Sequence, residues 1–362
     1  MAKSGTGQTW AIFCRVVDFY GDAGFCWRLA CALRDQGIGH VLLVIDRLDV
    51  LQAISGKQQR PGVSVMSWQL AEERWQSTGV SVSERADVVI EAFACDPPEV
   101  FLASLSDKAR WITLGYLATE PWADGVHLMP SPSPRLTHPA AAHRQWFIPG
   151  FSTRTGGLLH GRWRHISQSE RRAWRKILAG RPIADDVFLI MGFGYPDADW
   201  DRLMTLANEQ LPKGFKEAHL WKPKGIAFSQ SEFDEILQAC DLNFVRGEDS
   251  FVRAHWASAG PWKVPFVWQP YRQEGDAHTT KLAGWLVQVY GDLRLFPPLL
   301  PLFDLHWAWN RLPCSGHYRD LRLAWEDLVS DYEGCADALH RSCLRLALRP
   351  GLESLLKAAL KG

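Results

Sequence analysis

Apolar runs alternate with amphipathic stretches along the first half of the chain, the pattern of a parallel sheet with crossover helices. Residues 10–17 are apolar apart from Arg15 and read as a buried first strand. The turn Asp18-Phe19-Tyr20-Gly21-Asp22-Ala23-Gly24 follows. Residues 25–36 then put Trp27, Ala30, Cys31 and Leu33 roughly on one face, with Gly37 as a stop, and predict a helix. Further strands are predicted over 40–45, 63–68, 88–93 and 111–117. Strands spaced by helices over about 120 residues describe a Rossmann-like domain.

The pattern changes after the loops Pro130-Ser131-Pro132-Ser133-Pro134 and Thr155-Gly156-Gly157. Ser167-Gln168-Ser169-Glu170 has capping-box spacing ahead of a basic helix predicted over 171–178, which Gly180 and Pro182 end. Its Arg171, Arg172, Arg175 and Lys176 read as a solvated face in preference to a docking site for an acidic partner. A second α/β set is predicted, with strands over 187–193, 218–221, 243–245 and 265–270 and helices over 233–239 and 252–257. From residue 323 onward the chain reads as helical, ending in 352–360. The expectation is two Rossmann-like domains, 1–165 and 166–345, with a C-terminal helix in 346–362 that can pack back on the first.

Length agrees with two domains, because 362 residues exceed what one hydrophobic core usually serves. Forty basic residues cancel forty acidic ones, so no global field recommends a nucleic-acid partner. Apolar residues at 47% and charged residues at 22% exclude a disordered or fibrous chain. No cysteine or histidine group has zinc-ligand spacing, and most cysteines lie in apolar runs, where a reduced buried thiol is expected. The opening residues lack an apolar signal segment, and the most membrane-like run, 295–303, holds three prolines. A soluble cytoplasmic protein without a membrane partner is expected.

Ligands of open α/β sheets bind beyond the carboxyl ends of strands. Two loops there carry reactive side chains. The first sets Asp18 and Asp22 four residues apart among glycines, and it is not a dinucleotide fingerprint. Its structural alternative makes Asp18 a turn former and Asp22 a helix N-cap. The second, Arg246-Gly247-Glu248-Asp249-Ser250-Phe251, joins a strand to a helix whose N-terminus suits a phosphate, and Arg246 adds a matching fork of donors. Glu248 and Asp249 would repel that phosphate if aimed at it, leaving them to cap, to bind a hydroxyl or base, or to pair with a cation. Asp197-Ala198-Asp199 is the spacing of some metal–diphosphate sites, but reads here as a turn and cap. His127 and His278 are single histidines, more often structural than catalytic.

The string Trp10-Ala11-Ile12-Phe13-Cys14-Arg15-Val16-Val17-Asp18-x-Tyr20-Gly21-Asp22-x-Gly24-x-x-Trp27 resembles the opening of the EarP family of protein-arginine rhamnosyltransferases. So do Asp87-Val88-Val89-Ile90-Glu91-Ala92-Phe93-Ala94-Cys95-Asp96, Pro149-Gly150-Phe151-Ser152 and Arg246-Gly247-Glu248-Asp249-Ser250-Phe251-Val252-Arg253. Asp276-Ala277-His278-x-x-Lys281-Leu282 closes the likeness, which follows family order along most of the chain.

The resemblance implies a GT-B fold of two Rossmann-like domains facing across a cleft. It also implies inverting transfer of rhamnose from dTDP-β-L-rhamnose to one arginine of translation elongation factor P, with no cofactor and no metal. Under it, Asp22 matches a general base, Asp18 its partner carboxylate, and Glu248 an acidic residue needed for activity. Tyr195, Arg246, Asp249, Ser250 and Phe251 belong to the donor side, with Phe228 and Gln230 near the thymine. Tyr20, Tyr116 and His127 fall on the acceptor side. Phe19, Thr113-Leu114-Gly115 and Pro261-Trp262-Lys263 depart from the family pattern, the first two on the acceptor side. Two alternatives stay open at this stage: a GT-B enzyme with a lipid or saccharide acceptor, and a non-catalytic nucleotide-binding protein.

Overall fold

The structure, a computed structural model, describes residues 7–18, 20–56, 59–131, 139–225, 228–272, 277–291, 297–314, 317–318 and 320–360. Residues 1–6, Phe19, residues 132–134, Asp276 and residues 295–296, which figure in the sequence expectations, lie outside the described residues. The chain divides into two compact units, 1–162 with 350–362, and 163–349.

In the first unit, β1 (Thr9–Cys14), β2 (His40–Ile45), β3 (Val63–Ser67), β4 (Val88–Ala92), β5 (Arg110–Leu114) and β6 (Gln145–Phe147) form a parallel sheet. Their order, β3-β2-β1-β4-β5-β6, is Rossmann order. Crossover helices cover both faces of such a sheet, which is why residues 10–14 of β1 and 41–45 of β2 are unbroken apolar runs. Alternate residues Ala11 and Phe13 of β1, and Leu42 and Val44 of β2, face a core with Trp75, Phe101 and Trp111. Phe13 meets Phe101 edge-on at 4.8 Å. The C-terminal helix, Leu352–Ala359, belongs to this unit. Leu352 N–H donates to Leu158 O at 2.8 Å, and the buried Glu353 carboxylate accepts from the His160 and Gly161 amides.

The second unit carries β7 (Val187–Gly192), β8 (Glu217–Trp221), β9 (Leu242–Arg246) and β10 (Phe266–Gln269), all parallel, in the order β10-β9-β7-β8. Both units are therefore α/β with parallel sheets, as the hydropathy pattern predicts. The strand predicted over 63–68 ends one residue earlier, because Trp68 opens a helix, Trp68–Thr78, that the sequence reading lacked. The proline-rich run contains another unpredicted helix, Leu300–Trp309, which Pro301 enters in its first turn, where its missing N–H has no partner to lose.

The basic helix, Gln168–Ala179, has the predicted capping box at Ser167 and Glu170. Its arginines correct the expectation of a solvated face. Arg175 is 2% exposed and donates to Asp241 Oδ2 at 2.8 Å and to Val187 O at 2.5 Å. Arg171 donates to Asp241 Oδ1 at 2.6 Å. Asp241 Oδ2 also accepts the Leu189 amide at 2.7 Å, so one carboxylate ties the helix to β7 and β9. Arg172, paired with Asp185, stays exposed as predicted. Charge pattern alone does not separate these roles, because guanidinium groups are easily buried when a carboxylate and carbonyls surround them.

Burial holds Cys31, Cys335 and Cys343 as thiols, pushing Cys31 up to about 11 and Cys335 and Cys343 up to about 12. Among the described residues, no helix is long and apolar enough to cross a membrane.

Candidate functional site

The chain leaves β1 at Cys14 and enters a helix, Gly21–Asp35, four residues earlier than its hydrophobic pattern predicts. Gly21 and Gly24 read as turn residues, yet an acidic residue in a first turn favours the helix dipole and Asp22 supplies one. Asp22 is therefore not the N-cap that its spacing permitted; Tyr20 holds that position. The Asp22 carboxylate instead turns back, and Oδ2 accepts the amides of Val17 at 2.8 Å and Asp18 at 2.9 Å. Asp18 O accepts the Gly21 amide at 2.7 Å, which closes the turn.

Asp22 is 3% exposed, whereas Asp18 is half-buried. A Cβ at position 21 would come within 2.7 Å of Asp18 Oδ2, so glycine there leaves room for the neighbouring carboxylate. The two acids thus lie together beyond the carboxyl end of β1, Asp18 before the helix and Asp22 in its first turn. Two anionic groups held at one strand end suit a cation, and a planar guanidinium matches carboxylates best.

Of the acceptor-side candidates, Tyr116 is exposed and stacks on Phe93 at 4.3 Å and 11°. Tyr20 is half-buried beside the acids. His127 is committed on one side to the fold: Nδ1 accepts the Ile148 amide at 3.1 Å, and burial lowers its pKa. Its imidazole is accordingly neutral with the proton on Nε2.

In the second unit, Arg246 ends β9 and Gly247 turns the chain at φ 65°, a left-handed conformation that glycine adopts without strain. Glu248 is the N-cap residue of the next helix, Asp249–Ala259, but its side chain does not cap. It forms an ion pair with Lys281. Ser250 Oγ donates to Arg246 O. The Arg246 guanidinium lies over the rings of Phe193 and Tyr195, 4.8 Å from each centroid, with Nη1 donating to Gly194 O at 3.4 Å. Stacking on two rings holds that fork in place before any ligand arrives.

Gln269, at the end of β10 and in register with Arg246, accepts the Tyr195 amide at 3.0 Å. Trp268 Nε1 donates to Gly247 O at 2.7 Å. Gln269, Trp268 and Lys281 carry no role in the sequence reading. The signal for Gln269 and Trp268 was positional, since the last residues of a strand beside β9 must border the same strand end, whereas Lys281 comes from the helix Ala277–Tyr290. Phe251 is fully buried, stacked on Trp268 at 3.8 Å, so its side chain supports the loop from below. Its backbone remains in the first helical turn, where amides have no intrahelical partner.

Phe228 meets Trp221 and Trp174 edge-on, and Gln230 begins the helix Gln230–Ala239 behind a capping box of Ser229 and Glu232. Asp199 caps the helix Trp200–Glu209 through the Arg202 amide, and Asp197 pairs with Arg272 at 2.6 Å. That is the turn-and-cap arrangement their sequence setting suggests. His278, placed on the helix Ala277–Tyr290, has a buried Nδ1 without a partner among the described residues.

Residues 10–225 and 224–360 match the family described as Elongation-Factor P (EF-P) rhamnosyltransferase EarP. A protein-arginine rhamnosyltransferase of Pseudomonas putida is 34% identical over 323 residues, covering 77% of this chain and 80% of that relative. One of Shewanella oneidensis is 29% identical over 394 residues, covering 91% of each. A solved structure described as the structural basis for EarP-mediated arginine glycosylation of translation elongation factor EF-P has a TM-score of 0.54 at 21% identity, covering 97% of this chain and 98% of that one. Arabidopsis thaliana UGT89C1 complexed with quercetin reaches 0.56 at 10% identity, covering 98% and 100%. At such identities the two structures speak for the fold, which is GT-B.

Proposed function

The chain belongs to the EarP family, and from that premise we propose that it transfers rhamnose from dTDP-β-L-rhamnose to an arginine of translation elongation factor P. The observation that carries this reading is the Asp18/Asp22 loop, where two backbone amides hold the buried Asp22 carboxylate beside a more exposed one. A free guanidinium is a poor nucleophile, because its charge is delocalised over three nitrogens. Carboxylates gripping one side of it draw the charge towards that side and leave the lone pair of another nitrogen more available. The low dielectric around Asp22 strengthens the grip on a cation that reaches it.

In this reading Asp18 orients the arginine and Asp22 accepts its proton as nitrogen attacks the anomeric carbon. The C–N bond forms while the C–O bond to the diphosphate breaks, through an oxocarbenium-like transition state and with inversion. The electron pair leaves with dTDP. Its developing charge falls to Arg246, Tyr195, Ser250 and the first-turn amides at Asp249 and Phe251, which are placed before the reaction starts. Glu248 sits one residue before that turn and, with Lys281 holding its carboxylate, serves the sugar hydroxyls in preference to the phosphates. Phe228 and Gln230 border the thymine.

The reading calls for no metal or cofactor: Asp197 and Asp199 are engaged by Arg272, by Arg311 and by a helix cap. An acceptor that works in translation places the activity in the cytoplasm. The test incubates the protein with dTDP-β-L-rhamnose and unmodified elongation factor P, then weighs the factor by mass spectrometry. One deoxyhexose added at a single arginine is expected. An unchanged mass with folded enzyme and intact donor would reject the reading.

A further inference from the structure

The chain leaves β4, the strand beside β1, through an unusual turn. Phe93, Ala94 and Asp96 have φ of 59°, 54° and 50°. Side-chain-bearing residues avoid this left-handed region because Cβ crowds the following carbonyl. Three of them within four residues persist only where the surroundings over-determine the backbone.

Here the surroundings centre on Glu91, which is fully buried in β4. Oε1 accepts the Asp96 amide at 2.9 Å, while Oε2 accepts Arg144 Nη2 at 2.6 Å and Trp111 Nε1 at 3.2 Å. Arg144, itself 7% exposed, donates through Nε to Thr113 Oγ1 at 2.7 Å and lies over the Trp111 ring at 5.0 Å. From the other side, Cys95 Sγ donates to Phe13 O of β1 at 3.3 Å, and the Phe93 amide to Leu114 O of β5 at 2.7 Å. Desolvation offsets most of the attraction in a buried ion pair, so this one is poorly explained as a source of stability.

What the turn accomplishes is placement. It sets the Phe93 ring 5.8 Å from Phe25, three residues beyond Asp22 on the same helix. On its other side the ring carries Tyr116, the exposed aromatic of the loop after β5.

We propose that Glu91 and Arg144 are positioning residues for the transfer reaction, holding residues 93–96 in their left-handed turn. Phe93 and Tyr116 are thereby fixed beside the acidic loop, and the helical turn bearing Asp22 is braced. The inference rests on the reading of Asp22 given above. Neither residue touches substrate; both act through the turn.

The test measures turnover of elongation factor P by mass spectrometry, with dTDP affinity by calorimetry as the control on the second unit. Glu91→Gln keeps an oxygen for the Asp96 amide and removes the charge facing Arg144. It is expected to lower kcat at least tenfold with the dTDP Kd unchanged within twofold. Adding Ala94→Gly, which adopts the left-handed conformation freely, should recover at least threefold of that loss. An effect confined to stability would lower the melting temperature and leave kcat per folded molecule unchanged.

Should Glu91→Gln fail to fold, Ala94→Val strains the same exposed position without touching the ion pair. The same tenfold fall is expected there. Wild-type turnover in Ala94→Val or in folded Glu91→Gln overturns the proposal, as does a loss that glycine does not relieve. Absence of transfer by the wild-type protein would instead sink the proposed function itself.

Discussion

Replacing Asp22 by Asn tests the acidic loop with the smallest change of shape. Asparagine keeps a carbonyl oxygen where Oδ2 accepts the Val17 and Asp18 amides at 2.8 and 2.9 Å, so the turn can persist. Two hydrogen bonds pass from charged to neutral, from about 1.5–3 to about 1 kcal/mol each, while the cost of burying a charge at a 3% exposed site is relieved. These oppose one another, and a net loss of about 1–2 kcal/mol is expected. At roughly 2–4 °C per kcal/mol for a unit of this size, melting shifts by only a few degrees.

The amide cannot take a proton at neutral pH. Loss of a well-placed base costs roughly 10²–10⁴ in rate, or about 3–5 kcal/mol in the barrier. The rate loss therefore exceeds anything the stability change produces while the protein remains folded. The assay pairs single-turnover mass spectrometry of elongation factor P with calorimetric titration of dTDP. Turnover should collapse with dTDP affinity intact, and turnover within threefold of wild type would refute the role of Asp22.

Three other expectations test separate links. Arg246→Ala removes the guanidinium held over Phe193 and Tyr195, and a charge-assisted contact of about 2 kcal/mol implies roughly a 30-fold weaker dTDP Kd; calorimetry giving an unchanged Kd would remove Arg246 from the donor site. Asp241→Asn leaves Arg175 buried without its counter-charge, so urea unfolding should register a loss of about 3–5 kcal/mol, and a change below about 1 kcal/mol would show the pair to be dispensable. Burial lowers His255 to about 3 and His306 to about 4. The unfolded chain therefore takes up both protons first, and stability present above about pH 6.5 falls as the pH drops, by up to about 1.4 kcal/mol per unit for each histidine. His306→Phe should reduce the slope between pH 6.5 and 5 by up to about 1.4 kcal/mol per unit, with His255, His127 and His40 keeping the rest, and an unaltered slope would place the acid sensitivity elsewhere.

Strand positions were the most legible feature of the fold. The stretch 40–45 coincides with β2, and the other predicted strands differ from the observed ones mainly at their ends. A strand buried on both faces is mostly apolar, with a polar residue such as Glu91 or Asn243 only where a partner meets it, so its composition marks it without tertiary knowledge. Helices with mixed faces were less legible. Leu48–Ser55 and all but the first residue of Trp68–Thr78 fall in stretches with no predicted element, because short helices draw their stability from packing more than from local pattern. The family motifs marked the two strand-end loops, and family membership over nearly the whole chain bears that resemblance out.

By itself, then, the sequence determined the α/β class, the family, and which loops carry the acids and Arg246, since these depend on residue type and local order. Only the tertiary structure decided what each side chain does there. It turned Asp22 back onto the amides of residues 17 and 18, sank Arg175 onto Asp241, and drew Phe251 beneath its loop. It also linked Glu91 to Arg144 across 53 positions of chain. Such partners are chosen by the approach of strands distant in sequence, and no periodicity along the chain records which buried polar groups will meet.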